Sequence, residues 1–183
     1  FEAGKNGYPL EGATTTGYYL KKMIDESVSI DPIKPVKKPH HYPAFRYAEI
    51  LLNYAEAMNE WKNPDYTDNE HPLSAREALN QVRSAANMPP VVANGQDEFR
   101  EKVHKERRIE LAFEDHRFWD IRRWQQGELV KDIYGVKILN NNGTLSYEKV
   151  KVQERVWDNK MYLYPIPQNE IFVNPNLTQN PGW

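Results

Sequence analysis

Arginine and aromatic residues are interleaved in the segment ERRIELAFEDHRFWDIRRW, which spans residues 106–124. Guanidinium groups beside rings that can stack on bases are typical of nucleic-acid-binding surfaces. However, the acidic and basic residues of 97–123 cancel, eight against eight, and the whole chain carries a formal net charge of −2. A polyanion binder needs a surplus of Lys and Arg to release counterions. The charge balance therefore argues against nucleic acid as a partner.

The same segment predicts a structural ion network. Glu106 and Glu110 are four residues apart, so they share one face of a helix. Carboxylates grouped in this way need cationic partners, and the planar guanidinium of arginine binds a carboxylate through two hydrogen bonds. We expect arginines of the following helix to reach back to Glu106 or Glu110, with an anion or substrate site as the alternative. The predicted network comprises Glu106, Glu110, Arg117, Arg122 and Arg123.

No residue pattern predicts catalysis or a bound metal. The chain has no cysteine, which excludes disulfides and thiolate zinc sites. Its five histidines lack metal-binding spacings such as H-E-x-x-H, and the sequence has no glycine-rich phosphate loop. Acidic residues are plentiful, but no pair stands in an apolar setting that would raise the pKa of a general acid. We therefore predict no enzyme activity, no catalytic residue, no metal and no cofactor.

Aromatic side chains are the candidates for a binding role. They make up 12% of the residues, a high share in a chain of which 27% is charged. Rings at helix ends and in loops can stack on the faces of sugars, while packing within the fold is the alternative explanation for each of them. The candidate ligand-binding residues are Trp61, Tyr66, Tyr147 and Trp157.

Two amphipathic helices joined by a loop are predicted to position the first of these rings. One helix covers 45–61, and the other begins at the capping box SARE (74–77) and stops before Pro89 and Pro90. Prolines interrupt the loop between them. The apolar stripe of the first helix contains Phe45, Ala48, Leu51 or Leu52, Ala55 and Met58.

A second helical hairpin is predicted over residues 96–126. The apolar spacing gives a helix from Gln96 to Phe113, a turn at 114–116 and a short helix 117–126 that ends at Gly127. Consecutive hairpins are typical of tetratricopeptide units, although these start about fifty residues apart rather than about 34. The apolar residues of the longer helix are Phe99, Val103, Ile109, Ala112 and Phe113.

The remaining segments are extended or irregular. GYYLKKMI (17–24) is a candidate strand, and the prolines of 31–43 predict an extended connector. Residues 133–157 alternate apolar and polar side chains around NNNG (140–143), which predicts a β-hairpin. The fold class predicted is mainly α, with tetratricopeptide-like helical hairpins, a small β-hairpin and long irregular loops. We interpret 1–183 as a single domain with an irregular lead (1–43), helical hairpins (44–127), and a β-hairpin with a wrapping tail (128–183).

Several of these segments together resemble the C-terminal half of the SusD/RagB family. The matching blocks occur in the family's order and cover most of the chain. The N-terminal part of a full family member, with its signal peptide and lipidated cysteine, has no counterpart here. Because the sequence opens on FEAGKNGYPLEG, we expect it to be a fragment or a processed product of a longer chain. The blocks are RYAEILLNYAEAMNE (46–60), ALNQVRSAANMP (78–89), ERRIELAFEDHRFWDIRRW (106–124) and YLYPIPQNEIFVNPNLTQNPGW (162–183), with GYYLKKMI (17–24) before them.

The resemblance implies a function. SusD-like proteins are noncatalytic lipoproteins at the surface of the outer membrane of Bacteroidetes, where they capture glycans, or in some cases peptides, for a TonB-dependent SusC-like transporter. Their fold uses tetratricopeptide-like hairpins, and the blocks that match here are scaffold motifs rather than ligand residues. We expect noncatalytic glycan binding for nutrient uptake, with a tetratricopeptide-like docking scaffold that has no ligand site as the alternative. Contact with the membrane is expected only through a lipid anchor absent from this chain.

Overall fold

A computed structural model of the chain describes residues 14–183, so the predicted lead before residue 14 lies outside the described residues. The chain divides into two compact units. One unit comprises Asp25–Arg117, and the other comprises Phe118–Trp183 together with the segment that ends at Ile24. The interpretation of 1–183 as a single domain stays a prediction.

Three helices build the unit Asp25–Arg117. Helix α1 spans Tyr47–Trp61, α2 spans Ala75–Ala85 and α3 spans Gly95–Glu110. Because α1 packs against both α2 and α3, its apolar stripe lies in the middle of the core. The buried core contains Leu51, Leu52, Ala55, Met58, Ala75, Ala78, Leu79, Val82, Val91, Ala93, Phe99, Val103 and Leu111.

Both ends of α2 are closed by local hydrogen bonds. The capping box is confirmed: Ser74 Oγ accepts from the backbone N–H of Glu77 at 3.2 Å, and Glu77 Oε2 accepts from that of Ser74 at 2.8 Å. At the other end Asn87 has φ 54°, and the N–H of Met88 donates to the carbonyl of Arg83 at 2.9 Å. A residue in the left-handed conformation, followed by a bond from the next N–H to the carbonyl five residues earlier, is the Schellman motif that ends many helices.

Three apolar residues assigned to the helix stripes lie on the surface instead. Phe45, Ile109 and Phe113 are 84%, 60% and 66% exposed. Helix α3 ends at Glu110, three residues earlier than expected, and Phe113 has φ 64° in the turn that follows. The chain leaves the helical path there, so Leu111, only 2% exposed, takes the buried position that the regular spacing assigned to its neighbours.

The second unit begins within α4, which spans His116–Arg123. The helix is closed by Gln125, with φ 54°, and by a bond of 2.8 Å from the N–H of Gln126 to the carbonyl of Ile121. The expectation that Gly127 ends this helix is therefore wrong. Gly127 starts the short 3₁₀ helix Gly127–Val130 and lies against an indole, since a Cβ there would be 1.8 Å from Cε2 of Trp157.

A β-hairpin follows, as predicted. Strand β1, Asp132–Asn141, pairs antiparallel with β2, Thr144–Glu154, and the two turn residues Asn142 and Gly143 have φ 51° and 91°. A two-residue turn with both φ values positive has the twist that matches paired strands. Most of the hairpin is exposed on both faces.

The end of the second unit contains the 3₁₀ helix Asn159–Tyr162 and the short helix α5, Gln168–Val173. With this sheet of two strands, the mainly α fold class with a small β-hairpin is confirmed. The strand expected at 17–24 is wrong, since these residues form no strand and turn at Met23, which has φ 65°. Among residues 14–183, no helix has both the length and the apolar character needed to cross a bilayer.

Candidate ligand-binding site

Trp61 and Tyr66, two of the predicted binding residues, meet at the end of α1. We call the group formed by Trp61, Lys62, Tyr66, Asp68 and His71 the loop cluster. The rings of Tyr66 and His71 meet the indole edge to face, with centroids 5.6 Å and 5.2 Å away. Nζ of Lys62 lies 4.5 Å from the indole centroid. Trp61 itself is 54% exposed, so the cluster presents an accessible ring.

Asp68 organises the loop cluster. Its Oδ2 accepts a hydrogen bond from the Tyr66 hydroxyl at 2.7 Å, and its Oδ1 accepts from the backbone N–H of His71 at 2.6 Å and lies 2.9 Å from His71 Nδ1. The hydrogen bond from Tyr66, followed by those from His71 and Glu70, lowers the pKa of Asp68 to about 2. The residue is therefore a carboxylate at neutral pH, and it holds both rings beside Trp61.

The rest of the loop is tied to the helical core. Arg76 binds Asp65 through two hydrogen bonds, from Nε at 2.6 Å and from Nη2 at 2.9 Å. The hydroxyl of Tyr54 donates to the carbonyl of Leu73 at 2.6 Å. Because α1 and α2 each supply one of these anchors, the loop is positioned by the rigid part of the unit rather than by its own chain alone.

This arrangement surrounds an aromatic face with polar and charged groups. An exposed indole offers an apolar face, while Lys62, Asp68 and His71 provide donors and acceptors around it, which is the composition of a site for a polar ring such as a sugar. Lys62 covers one face of the indole with a flexible side chain. The hydroxyl of Tyr66 donates to Asp68 Oδ2 at 2.7 Å, which holds the phenol ring in place beside the indole.

The other two predicted binding residues lie in the second unit and do not form a cluster with each other. Tyr147 is 67% exposed on β2, opposite Ile138 of β1. Trp157 packs against the Cα of Gly127 and meets the ring of Tyr162 edge to face at 5.1 Å. Its binding role stays a prediction, and the contacts seen for it are packing contacts.

The ion pairs of Glu106 and Glu110 involve arginines that the sequence did not point to. Glu106 pairs with Arg83 of α2 at 2.5 Å, and Glu110 pairs with Arg46 at 2.8 Å. Arg46 also binds Glu114 with Nε at 2.7 Å and Nη2 at 2.8 Å, and these bonds raise the pKa of Arg46 above its ordinary value. The only sequence signal for the role of Arg46 was its position just before α1. The pairing of Arg83 with Glu106 depends on how α2 and α3 are placed in the fold.

Two arginines of α4 that were predicted for this network have other contacts. Arg123 pairs with Asp120 at 3.1 Å, and Asp120 is 2% exposed. Arg122 stacks on Phe118, with its guanidinium carbon 3.6 Å from the ring centroid. The assignment of Arg117, Arg122 and Arg123 to Glu106 or Glu110 stays a prediction.

A metal site was not expected from the sequence. Within the described residues, no three His, Cys, Asp or Glu side chains come together in a way that would hold a metal ion. His71 and His116 each lie beside a single carboxylate: Nδ1 of His71 is 2.9 Å from Asp68, and Nε2 of His116 is 3.7 Å from Glu49.

Similarity to known proteins connects this geometry to a family. Residues 1–183 match the SusD family along their whole length. The chain belongs to the SusD family. Two SusD-like proteins of Formosa agariphila, P2 and P38, are 34% and 30% identical to it over 146 and 145 residues. These regions cover 78% and 74% of the chain but only 26% and 23% of the relatives, so the chain spans about a quarter of their length.

A solved SusD-like structure from Bacteroides fragilis is similar in fold. It is 38% identical, with a TM-score of 0.62, and the match covers 76% of this chain and 25% of that one. The family resemblance drawn from the sequence is thereby confirmed. Its most specific block, 106–124, contains Glu106, Arg107 and Asp120 as buried charged residues, which supports its interpretation as SusD-family scaffold.

Proposed function

We propose that this chain is part of a noncatalytic protein of the outer-membrane surface that binds glycans and passes them to a TonB-dependent SusC-like transporter. Membership of the SusD family supports this role, and the loop cluster supplies a site of suitable chemistry. The observation that carries the proposal within the chain is the exposed indole of Trp61, framed by Tyr66 and His71. A sugar stacked on this ring would gain binding energy from the aromatic face without any catalytic group.

Calorimetric titration of the chain with a panel of neutral and acidic oligosaccharides tests the proposal. We expect Trp61→Ala to weaken binding about tenfold, because loss of an aromatic anchor costs ~1–2 kcal/mol. Phe172→Ala is the matched control, since Phe172 is 75% exposed on α5 and lies outside the loop cluster. Equal affinities for Trp61→Ala and the unmodified chain would remove the loop cluster from the proposal.

A docking scaffold is the second candidate function. Besides its buried stripe, α1 has an exposed row made of Tyr47, Ile50, Ala57 and Trp61, with Tyr47 70% and Ile50 53% exposed. Side chains at this spacing lie along one helix face and are typical of a surface that receives another helix. Co-purification with a SusC-like transporter, together with no affinity for any oligosaccharide, would favour docking over glycan capture.

A further inference from the structure

The second unit contains a cavity that the loop cluster does not use. Its volume is about 550 Å³, within the range of small-molecule sites. The walls come from α4, the 3₁₀ helix Asn159–Tyr162 and the last residues of the chain. The lining residues that matter here are Arg122, Gln125, Asp158, Asn159, Lys160 and Leu163.

Arg122 lines this cavity without a carboxylate partner among residues 14–183. Its guanidinium is stacked 3.6 Å from the ring centroid of Phe118, with the rings of Trp157 and Tyr164 at 5.4 Å and 5.6 Å. Nη1 donates to the carbonyl of Phe118 at 3.0 Å, while the buried Nε has no acceptor in the described part of the chain. The aromatic rings therefore fix the plane of a cation whose charge is not neutralised locally.

Lys160 adds a second positive charge to the wall. Its Nζ lies 4.6 Å from the ring centroid of Trp183, and no carboxylate pairs with it in the region that the structure describes. The lining also includes the acid Asp158, whose Oδ1 accepts a hydrogen bond from the backbone N–H of Lys160 at 3.0 Å. Two cations face one carboxylate, so the cavity has a local positive excess in a chain whose net charge is −2.

We propose that this cavity binds the anionic group of an acidic glycan, either a uronate carboxylate or a sulfate ester. The guanidinium of Arg122 can bind two oxygens of either group, and the ammonium of Lys160 adds a point charge. The amides of Gln125 and Asn159 provide donors and acceptors for sugar hydroxyls. This inference rests on the proposed function, since glycan capture explains why the anion is attached to a sugar.

Calorimetry with matched pairs of oligosaccharides isolates the charge. Trigalacturonate is compared with its fully methyl-esterified form, and a sulfated carrageenan tetrasaccharide with its desulfated form. We expect the anionic member of at least one pair to bind about tenfold more tightly, the effect of one charge-assisted hydrogen bond. The pair that shows the preference identifies carboxylate or sulfate as the recognised group.

Two variants assign the preference to this cavity. Arg122→Gln and Lys160→Gln should each reduce it at least about threefold, whereas Lys149→Gln should leave it unchanged. Lys149 is a suitable control because its Nζ also lies over a ring, 4.0 Å from the centroid of Tyr134, but outside the cavity. Circular dichroism checks folding, and if Arg122→Gln loses its helical signal, the result for Lys160→Gln decides.

The outcomes separate this inference from the proposed function. Equal affinity for the charged and neutral members of both pairs would overturn the acidic-glycan site and leave glycan capture intact. A preference that persists in the folded cavity variants would overturn it as well. If no oligosaccharide of either kind binds the unmodified chain, the proposed function itself fails.

Discussion

Among single residues, Asp68 orders the candidate site, because its carboxylate binds both Tyr66 and His71, whose rings meet Trp61. Its pKa is held at about 2 by the hydrogen bonds from Tyr66, His71 and Glu70. The pKa of this carboxyl is lower in the folded chain than in the unfolded one, about 3.9. Its stabilising effect is therefore complete above pH 4 and is lost as the pH falls towards 2.

We accordingly expect the fluorescence of Trp61 to change between pH 4 and pH 2, as Tyr66 and His71 separate from the indole. In Asp68→Asn the same change should be present already at neutral pH, and the acid step should be absent. Difference fluorescence between this variant and the unmodified chain removes the contribution of the other tryptophans. An acid step of equal size in both proteins would show that Asp68 does not order the cluster.

The pair of Glu106 and Arg83 illustrates what charge patterns can and cannot predict. Clustered carboxylates and arginines indicated buried pairing, and the structure indeed buries Glu106 to 8% exposure. The arginine that pairs with Glu106 is determined by how α2 and α3 are placed, since Arg83 is 23 residues away along the chain. No local spacing rule reaches that distance, so the partner could not be predicted.

Removal of the charge at this pair should destabilise the helical unit. We expect Glu106→Gln to lower the free energy of unfolding by about 3 kcal/mol, because Arg83 would keep a largely buried charge without its partner. Urea unfolding followed by circular dichroism measures the loss. Asp97→Asn is the control: its carboxylate, 93% exposed, pairs with Arg100, and exposed pairs contribute less than about 1 kcal/mol. Comparable losses in the two variants would contradict this account.

At the scale of elements, the helices were predicted well and their ends less well. Apolar spacing and the capping box located α1 and the start of α2 to within two residues. The C-terminal ends of α2 and α4, however, use Asn87 and Gln125 in the left-handed conformation. Glycine is the usual signal for such an end, and its absence here explains why the end of α4 was placed at Gly127 instead.

Gly127 is required for a different reason, namely its contact with Trp157. We expect Gly127→Ala to cost ~1–3 kcal/mol, because the new methyl group would force the indole away from the ring of Tyr162. Urea unfolding of the variant gives this cost. In a Trp157→Ala background the same substitution should cost much less, since the clash is gone. Additive losses in the double variant would argue against the packing explanation.

For the molecule as a whole, the sequence was sufficient for the fold class and the family. Helical periodicity and the turn NNNG gave a mainly α fold with a β-hairpin, and the quoted blocks gave the SusD family. The sequence was less informative about the site. The aromatic side chains of Trp61 and Tyr66 made them candidates for binding, but nothing in the sequence indicated that the two rings are in contact. The contact between these two rings depends on hydrogen bonds made by Asp68, Tyr54 and Arg76. Such bonds form only in the folded chain and leave no pattern in the sequence.

The clamp that Arg46 forms with Glu110 and Glu114 has a consequence for the nascent chain. Its partners are 64 and 68 residues further along, so they leave the ribosome much later than Arg46. A translating ribosome therefore first releases α1 and α2, while the surface of α1 that α3 will cover is still open to solvent. During that interval this surface is a target for chaperones or for other nascent chains, and the arrival of α3 and the clamp ends the exposure.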